Sequence, residues 1–388
     1  MSLGFYGVGK GSRKEVQVTV AVIRAEGPQD AAMLLELLGG MEKYVKEGER
    51  ILVKPNICAA KPSSTGTVTD PELVAEICRL VREAGAEPVV GESPIHPFRS
   101  SRVFERAGYG DFQRRYGVPL VDLDGAEAVT VRVPRGKVLR EVKVAKPVLE
   151  CQGIVNVPVL KTHLQTIVTL GLKNLKGLVQ GEGKVGVHVK GLDDGIVDLN
   201  TLFPSRLVVV DALVGMEGEL GPTNGRPVEL GLLVAGDNVV EVDATCCRLV
   251  GLDPHRVPHI RKAEERGLGR TQGFQILGED PEKVKRDFDL PDHPELNKFM
   301  ITTILLHLYH YARRPLDFLM GRERVPRPEG RVGLKVELCD GCSVCARACP
   351  VGAVSMAEAR PSIDDSTCIL CFCCAEACPR GALYRERT

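Results

Sequence analysis

The sequence carries no excess of either charge: 51 Lys and Arg are matched by 51 Asp and Glu, for a formal net charge of zero over 388 residues. A balanced chain has no global attraction to nucleic acid or to an anionic membrane, so neither is expected as a partner and any electrostatic recognition must come from a local cluster. Residues Met1–Lys14 are glycine-rich and hold no apolar run of signal-peptide length, from which a cytoplasmic chain is expected. The longest apolar-looking stretch, Phe299–Tyr311, is interrupted by Thr302, Thr303, His307 and His310. It falls short of the roughly 20 residues that span a bilayer, and reads as a core or docking helix. Phosphate loops are absent too. Gly181-Glu182-Gly183-Lys184-Val185-Gly186 formally matches G-x-G-x-x-G, but helix and loop patterns precede it and Val187–Val189 reads as a strand, the reverse of a dinucleotide fingerprint. Leu178 and Val185 stand where a P-loop needs Gly and Ser or Thr. Fourteen cysteines without an export signal are not a disulfide framework, and metal ligation becomes the default.

What is present is ordinary globular composition, 44% hydrophobic and 26% charged, in a chain long enough for two or three domains. From Glu15 to about Gly278, short β-branched runs alternate with amphipathic stretches, the pattern of an α/β domain with a mostly parallel sheet and flanking helices. Val16–Ile23, Arg50–Lys54, Pro88–Gly91, Gly153–Val159, Leu207–Asp211 and Leu230–Ala235 read as strands. Pro71–Ala84 reads as a helix, with Leu73, Val74, Ile77, Leu80 and Val81 on one face, Pro71 in its first turn and Gly85 at its stop. Val239–Gly251 and His255–Gly267 are similar. Asp292–Gly321 also reads as helical and Arg322–Arg331 as a linker. The expected organisation is an α/β domain over 1–290, a helical segment and linker over 291–330, and a small α+β domain over 331–388.

That last unit contains an internal repeat. Cys339, Cys342, Cys345 and Cys349 with Pro350 form one C-x2-C-x2-C-x3-C-P run, and Cys368, Cys371, Cys374 and Cys378 with Pro379 form another, starting 29 residues later. Tight cysteine spacing lets one loop wrap a cubane, Pro350 and Pro379 stop a helix, and Gly352 and Gly381 let the chain turn away. Zinc prefers separated pairs and does not account for the same four-cysteine run twice. The repeat resembles two-cluster bacterial ferredoxins, in which the fourth cysteine of each run ligates the other cluster. The resemblance implies two [4Fe–4S] clusters, one on Cys339, Cys342, Cys345 and Cys378, the other on Cys368, Cys371, Cys374 and Cys349. It also implies low-potential electron transfer in an oxygen-poor cell interior, with an external electron donor or acceptor. Residues 331–388 carry seven basic and seven acidic side chains, whereas diffusing ferredoxins of this kind are acidic, so a unit wired to its own large domain is expected. Cys373 lies between ligands, either as a spare small residue or as a substitute ligand.

Three sets of residues stand out in the large domain: Lys54-Pro55-Asn56 with the loop to Asp70; Asn156 through Lys161, Thr162 and His163 to Lys173, Asn174 and Lys176; and the acids Asp211, Glu217 and Asp243. These motifs resemble the domain of unknown function 362 family over most of Glu15–Gly278, a family whose members are often fused to a ferredoxin module. The resemblance supplies no reaction and no catalytic residues. Between Lys161 and Lys190 there are five lysines and one acid, Glu182, with His163 and His188. Lysine at the strand ends of an α/β sheet suits phosphate or carboxylate. Lys54, Asn56, Lys161, His163, Lys173, Asn174 and Lys176 are therefore expected to converge on a small anionic substrate, with Lys161, His163 and Lys173 catalytic; a solvated basic face is the competing reading. His163 and His188 with the three acids lack metal-ligand spacing. Cys58 is either a reactive thiol or buried filler, and Cys78, Cys246 and Cys247 read as core.

Three functions follow. The first is an iron–sulfur oxidoreductase passing electrons to an anion bound in the α/β domain. The others are an electron-transfer subunit that docks a partner enzyme, and a redox-sensing binding protein with structural clusters.

Overall fold

The computed structural model describes residues 19–291, 293 and 330–386. Apart from His293 and the last two linker positions, the expected helix Asp292–Gly321 and the linker lie outside the described residues, as does Met1–Lys14. Strands β1 (Thr19–Arg24), β2 (Arg50–Pro55), β3 (Glu87–Glu92) and β4 (Leu120–Asp122) are followed by a separate hairpin of β5 (Ala128–Arg132) and β6 (Glu141–Ala145). Then come β7 (Gly153–Val157), β8 (Val159–His163), β9 (Ile167–Thr169), β10 (Leu207–Glu217), β11 (Arg226–Gly236) and β12 (Gln275–Gly278). They build one sheet in the order β12-β1-β11-β10-β7-β2-β3-β4, with β8 and β9 branching from β10. The β10-β7-β2-β3-β4 half is wholly parallel, while β11 runs antiparallel to both of its neighbours.

A parallel sheet is stable only with both faces covered, and here consecutive residues of each strand enter different cores. Val20, Val22, Leu52, Val208 and Val210 pack on one side, against the helices Gly183–Leu202 and Val239–Leu249. Ala21, Ile23, Ile51, Val53, Leu207 and Val209 pack on the other, against the helix Pro71–Glu83. That helix has the expected origin: Asp70 accepts from the Glu72 N–H at 2.8 Å, Pro71 needs no partner, and Leu73, Val74, Ile77 and Val81 are fully buried.

Two readings are corrected. Gly153–Val159 is two strands, because Pro158 has no N–H to continue the ladder and the chain re-enters the sheet as β8. Val187–Val189 is not a strand but part of the helix Gly183–Leu202, which bends at Gly191 with φ +117°. Valine's strand preference yields there to packing of Val187, Leu192, Ile196 and Val197 in the core.

The C-terminal unit pairs β13 (Arg331–Leu334) with β16 (Leu383–Glu386), and β14 (Val354–Ala357) with β15 (Arg360–Ile363). Its halves repeat in backbone as well as in sequence. Gly341 and Leu370 are both left-handed, as are Ser343 and Phe372, and Gly352 and Gly381, each pair 29 residues apart. Bulky Leu370 and Phe372 adopt φ +54° and +53°, a conformation that costs energy unless the loop around them dictates it.

Candidate functional site

The carboxyl ends of β2 and β3, with Lys161 of β8 and Thr169 of β9, line a cavity of about 80 Å³, at the place where α/β sheets commonly bind ligands. Its floor is a buried polar network. Lys54, at the end of β2, meets Glu92, at the end of β3, at 2.6 Å with both side chains out of solvent. Glu92 also accepts from the N–H groups of Ile57 and Ser93 at 3.1 and 2.7 Å, and Lys54 donates to Pro55 O at 2.7 Å. Gly177 crosses directly above: a Cβ there would sit 2.2 Å from Glu92 Oε1 and 2.8 Å from Lys54 Nζ.

Beside this pair runs a chain of amides. Asn56 Nδ2 donates to Asn174 Oδ1 at 3.0 Å, Asn174 Nδ2 donates to Asn156 Oδ1 at 2.8 Å, and Asn156 Nδ2 donates to Gly171 O at 2.9 Å. Lys161 Nζ donates to Asn56 Oδ1 at 2.9 Å, to Thr67 O and to Cys58 Sγ at 3.4 Å. Its three N–H bonds all have partners, so Lys161 reaches the cavity wall as a strut.

Lys173 and Lys176 differ. Lys173, on the short helix Gly171–Asn174, is only 8% exposed, and among the described residues its ammonium has no hydrogen-bond or ion-pair partner. Burial, aided by Lys176 and Lys161 and opposed by Glu376, pushes its pKa down to about 7. Thr169 Oγ1, buried in the same wall, also lacks a partner. Lys176 Nζ contacts His188 Nε2, whose Nδ1 lies 2.8 Å from Gln165 Oε1. Lys184 reaches the cavity while bound to Asp124 at 2.8 Å and to Pro94 O at 2.7 Å.

The remaining wall comes from the C-terminal unit. Its short helix Cys373–Glu376 inserts so that Cys373 and Glu376 line the cavity with the lysines. His163 Nδ1 accepts from the N–H groups of Gln165 and Thr166 at 3.1 and 3.2 Å, which leaves the ring proton on Nε2, 3.1 Å from Glu376 Oε1. Burial and Lys173 lower His163 to a pKa of about 3, so the ring is neutral at physiological pH. Burial disfavours charge on Glu376, but His163, His188 and Lys173 outweigh it and hold the carboxylate well below its usual range. The loop between β10 and β11 grips the same turn: Thr223 Oγ1 donates to Glu376 O at 3.1 Å and Asn224 Nδ2 to Cys378 O at 2.9 Å. Leu164 packs into the core of the unit, and Ile95 and Phe98 pack against Val344, Ala348 and Ala377.

All seven residues expected at the site lie in this one region, Lys54 and His163 just behind the walls and the other five on them. The acidic set does not join them. Asp211 accepts from the N–H groups of Asp70 and Leu213, Asp243 caps the helix at Gly171 and Leu172, and Glu217 pairs with Arg226 and holds the Asp289 N–H. Each is a structural acceptor. Among the described residues no three His, Cys, Asp or Glu side chains are grouped to hold a single metal ion. Sequence reasoning missed Glu92 and Glu376. The first stands at a strand end, a position that could have flagged it; the second is hidden inside a cysteine run whose spacing already had an explanation.

A second cavity is lined by Cys339, Cys342, Cys345 and Cys378, three cysteines from one run and the last from the other. Cys368 and Cys374, in turn, lie within electrostatic reach of Cys371 and Cys349. The Ala353 and Ala382 N–H groups point at the sulfurs of Cys349 and Cys378, at 3.2 and 3.3 Å. Cysteine sets with matched backbone donors fit iron–sulfur clusters.

Residues 51–248 match the model of a domain of unknown function, DUF362, and residues 338–382 match that of a 4Fe-4S dicluster domain. A thylakoid-associated protein of Synechocystis sp. is 32% identical over 324 residues, covering 78% of this chain and 99% of the relative. Among solved structures, the lactate racemase apoprotein from Thermoanaerobacterium thermosaccharolyticum superposes with a TM-score of 0.39 at 11% identity, over 60% of this chain and 57% of that one. Among the described residues no helix is long and apolar enough to cross a membrane.

Proposed function

The chain belongs to the DUF362 family and carries a 4Fe-4S dicluster domain, and from that premise we propose that it is an oxidoreductase joining two [4Fe–4S] clusters to a small anionic substrate in the lysine cavity. The observation that carries this reading is the helix Cys373–Glu376, which follows ligand position Cys371, contains Cys374 and forms a wall of the substrate cavity. The clusters, when bound, supply one-electron transfer at low potential. Cys339, Cys342, Cys345 and Cys378 would hold the outer one, where exposed Cys342 offers a point of exchange with an external partner, and Cys349, Cys368, Cys371 and Cys374 the inner one.

The chain's own residues bind and orient. Lys173 and Lys176 attract the anion, Thr169 offers a hydroxyl, and the Asn56–Asn174–Asn156 chain with Lys54 and Lys161 keeps the walls rigid. His163 donates toward Glu376 and fixes where that carboxylate stands. The domain organisation follows the same division, an α/β unit to about residue 290 and a cluster unit from 331, working in a reducing cell interior.

The test uses protein isolated anaerobically with its clusters, reduced by light and a deazaflavin, then mixed with the small-anion fraction of its own cells. Reoxidation by that fraction, followed near 410 nm and lost in Lys173→Met with cluster content unchanged, supports the proposal. Equal reoxidation of both proteins, or zinc in place of iron in the isolated chain, overturns it.

A further inference from the structure

The cavity presents opposite charges that do not touch. Lys173 is about nine-tenths buried, lines the cavity and has no hydrogen-bond or ion-pair partner among the described residues, while Glu376 lines the same cavity within electrostatic reach of Lys173 and His188, with His163 Nε2 3.1 Å from its Oε1. Neither Glu376 Oε1 nor Thr169 Oγ1 has a hydrogen bond of good geometry among the described residues. Buried polar groups are almost always satisfied, and an unpaired buried charge is costly, so a set left open on one small cavity marks what its ligand must supply.

The internal pairs can be removed from the count. Lys54 is neutralised by Glu92 and Lys184 by Asp124, and every N–H of Lys161 is taken. What remains open is Lys173, Lys176 and the Thr169 hydroxyl on one side and the Glu376 carboxylate on the other. A simple anion satisfies the first set and places a lone pair against the second, which repels it. A ligand with an anionic group at one end and an N–H or O–H donor at the other satisfies both. At most two ammonium groups stand against one carboxylate, so the open groups carry no more than a single net positive charge, which favours a monoanion over a dianion.

Resting on the reading of this cavity as the substrate site, we propose that its substrate is a small carboxylate monoanion bearing a hydroxyl or amide donor, the anion held by Lys173 and the donor by Glu376. Glu376 is then a specificity residue contributed by the ferredoxin unit, and neither unit alone holds a complete site.

Calorimetry on the anaerobic holoprotein tests this with matched probes: glycolate against acetate, 3-hydroxypropionate against propionate, and sulfate as a dianion. A hydrogen bond to a charged group corresponds to about ten-fold in affinity, so the hydroxylated member of each pair should bind about ten-fold tighter than its partner. Sulfate should bind more weakly than either hydroxy acid. Glu376→Gln should narrow each gap to within about three-fold, whatever it does to acetate and propionate once the repelling charge is gone. Thr169→Val, remote from the cysteines in sequence, should weaken all carboxylates alike and leave the gaps intact. The cluster absorbance of each variant shows whether it is loaded. Equal binding within each pair, or a gap that survives Glu376→Gln, overturns the inference and leaves the proposed function standing if Lys173→Met still abolishes binding. No Lys173-dependent binding of any probe overturns both.

Discussion

Two lysine pairs stand around one cavity and behave oppositely. Lys54 and Lys161 are buried and bonded, Lys54 to Glu92 and Pro55 O, Lys161 to Asn56, Thr67 O and Cys58. Lys173 is nearly as withdrawn from water yet has no such partner among the described residues, where Lys176 has a histidine. The first pair belongs to the scaffold, because a buried charge with complete partners has nothing left to offer a ligand. Under the proposed function the second belongs to the site, because its unmet bonds are available. Residue type and position in the sheet do not separate these roles; the inventory of partners does.

The comparison breaks most visibly at Lys54. Lys54→Met should destabilise the protein by about 3–5 kcal/mol, since Glu92 is left charged and unpaired in the interior. Denaturant unfolding checks this; a loss under about 1 kcal/mol would place Lys54 in the same class as Lys173.

Lys173→Met should do the reverse, abolishing anion binding with stability kept or raised. Its pH dependence sharpens the contrast. Folding depresses this pKa from 10.5 to about 7, so between those values the folded protein has released a proton that the unfolded chain still holds. Wild-type stability relative to Lys173→Met should therefore rise with pH from about 7 towards 10.5, while anion affinity falls through the same start of the window. Paired unfolding and binding measurements at pH 6, 8 and 9.5 would show both trends; a flat difference in stability would contradict them.

Gly177→Ala should cost about 1–3 kcal/mol, because the new methyl group has to displace the Lys54–Glu92 pair that no neighbouring side chain can yield to. A smaller Gly177→Ala penalty in the Lys54→Met background than in the wild type, measured as a double-mutant cycle, would show that the clash is with this pair.

The smallest effect is expected at Asn224. Asn224→Ala removes the bond to Cys378 O together with local bonds to Lys61 Nζ and Thr223 Oγ1, and should cost about 1 kcal/mol, felt as faster hydrogen exchange in the C-terminal unit and in the Lys61 loop but not in the sheet. A change that reaches the sheet would mean that the contact supports the α/β domain itself.

Much of the architecture was legible because its causes are local. The helix Pro71–Glu83 announced itself through Asp70, Pro71 and a 3.6-residue apolar stripe, and the strands through buried β-branched runs. Elements whose neighbours decide them were not. The hairpin Ala128–Arg132 with Glu141–Ala145 lies outside the main sheet, and its strands alternate exposed with half-buried residues in one half only. Val187 resembles strand sequence but is recruited into a helix by the core it fills. In the site, Lys161 and Lys173 had equal standing as charged residues near strand ends, and only their partners divide them.

By itself the sequence determined the cluster unit, since eight cysteines and two prolines at set spacing are close along the chain and carry their geometry with them. It also determined the α/β class and the residues that gather at the strand ends. Only the tertiary structure decided that Glu376, embedded in a cysteine run, faces Lys173, 203 residues earlier, across one cavity. Side chains that far apart in sequence meet because strand order and the grip of Thr223 and Asn224 bring them together, and no local pattern records that meeting.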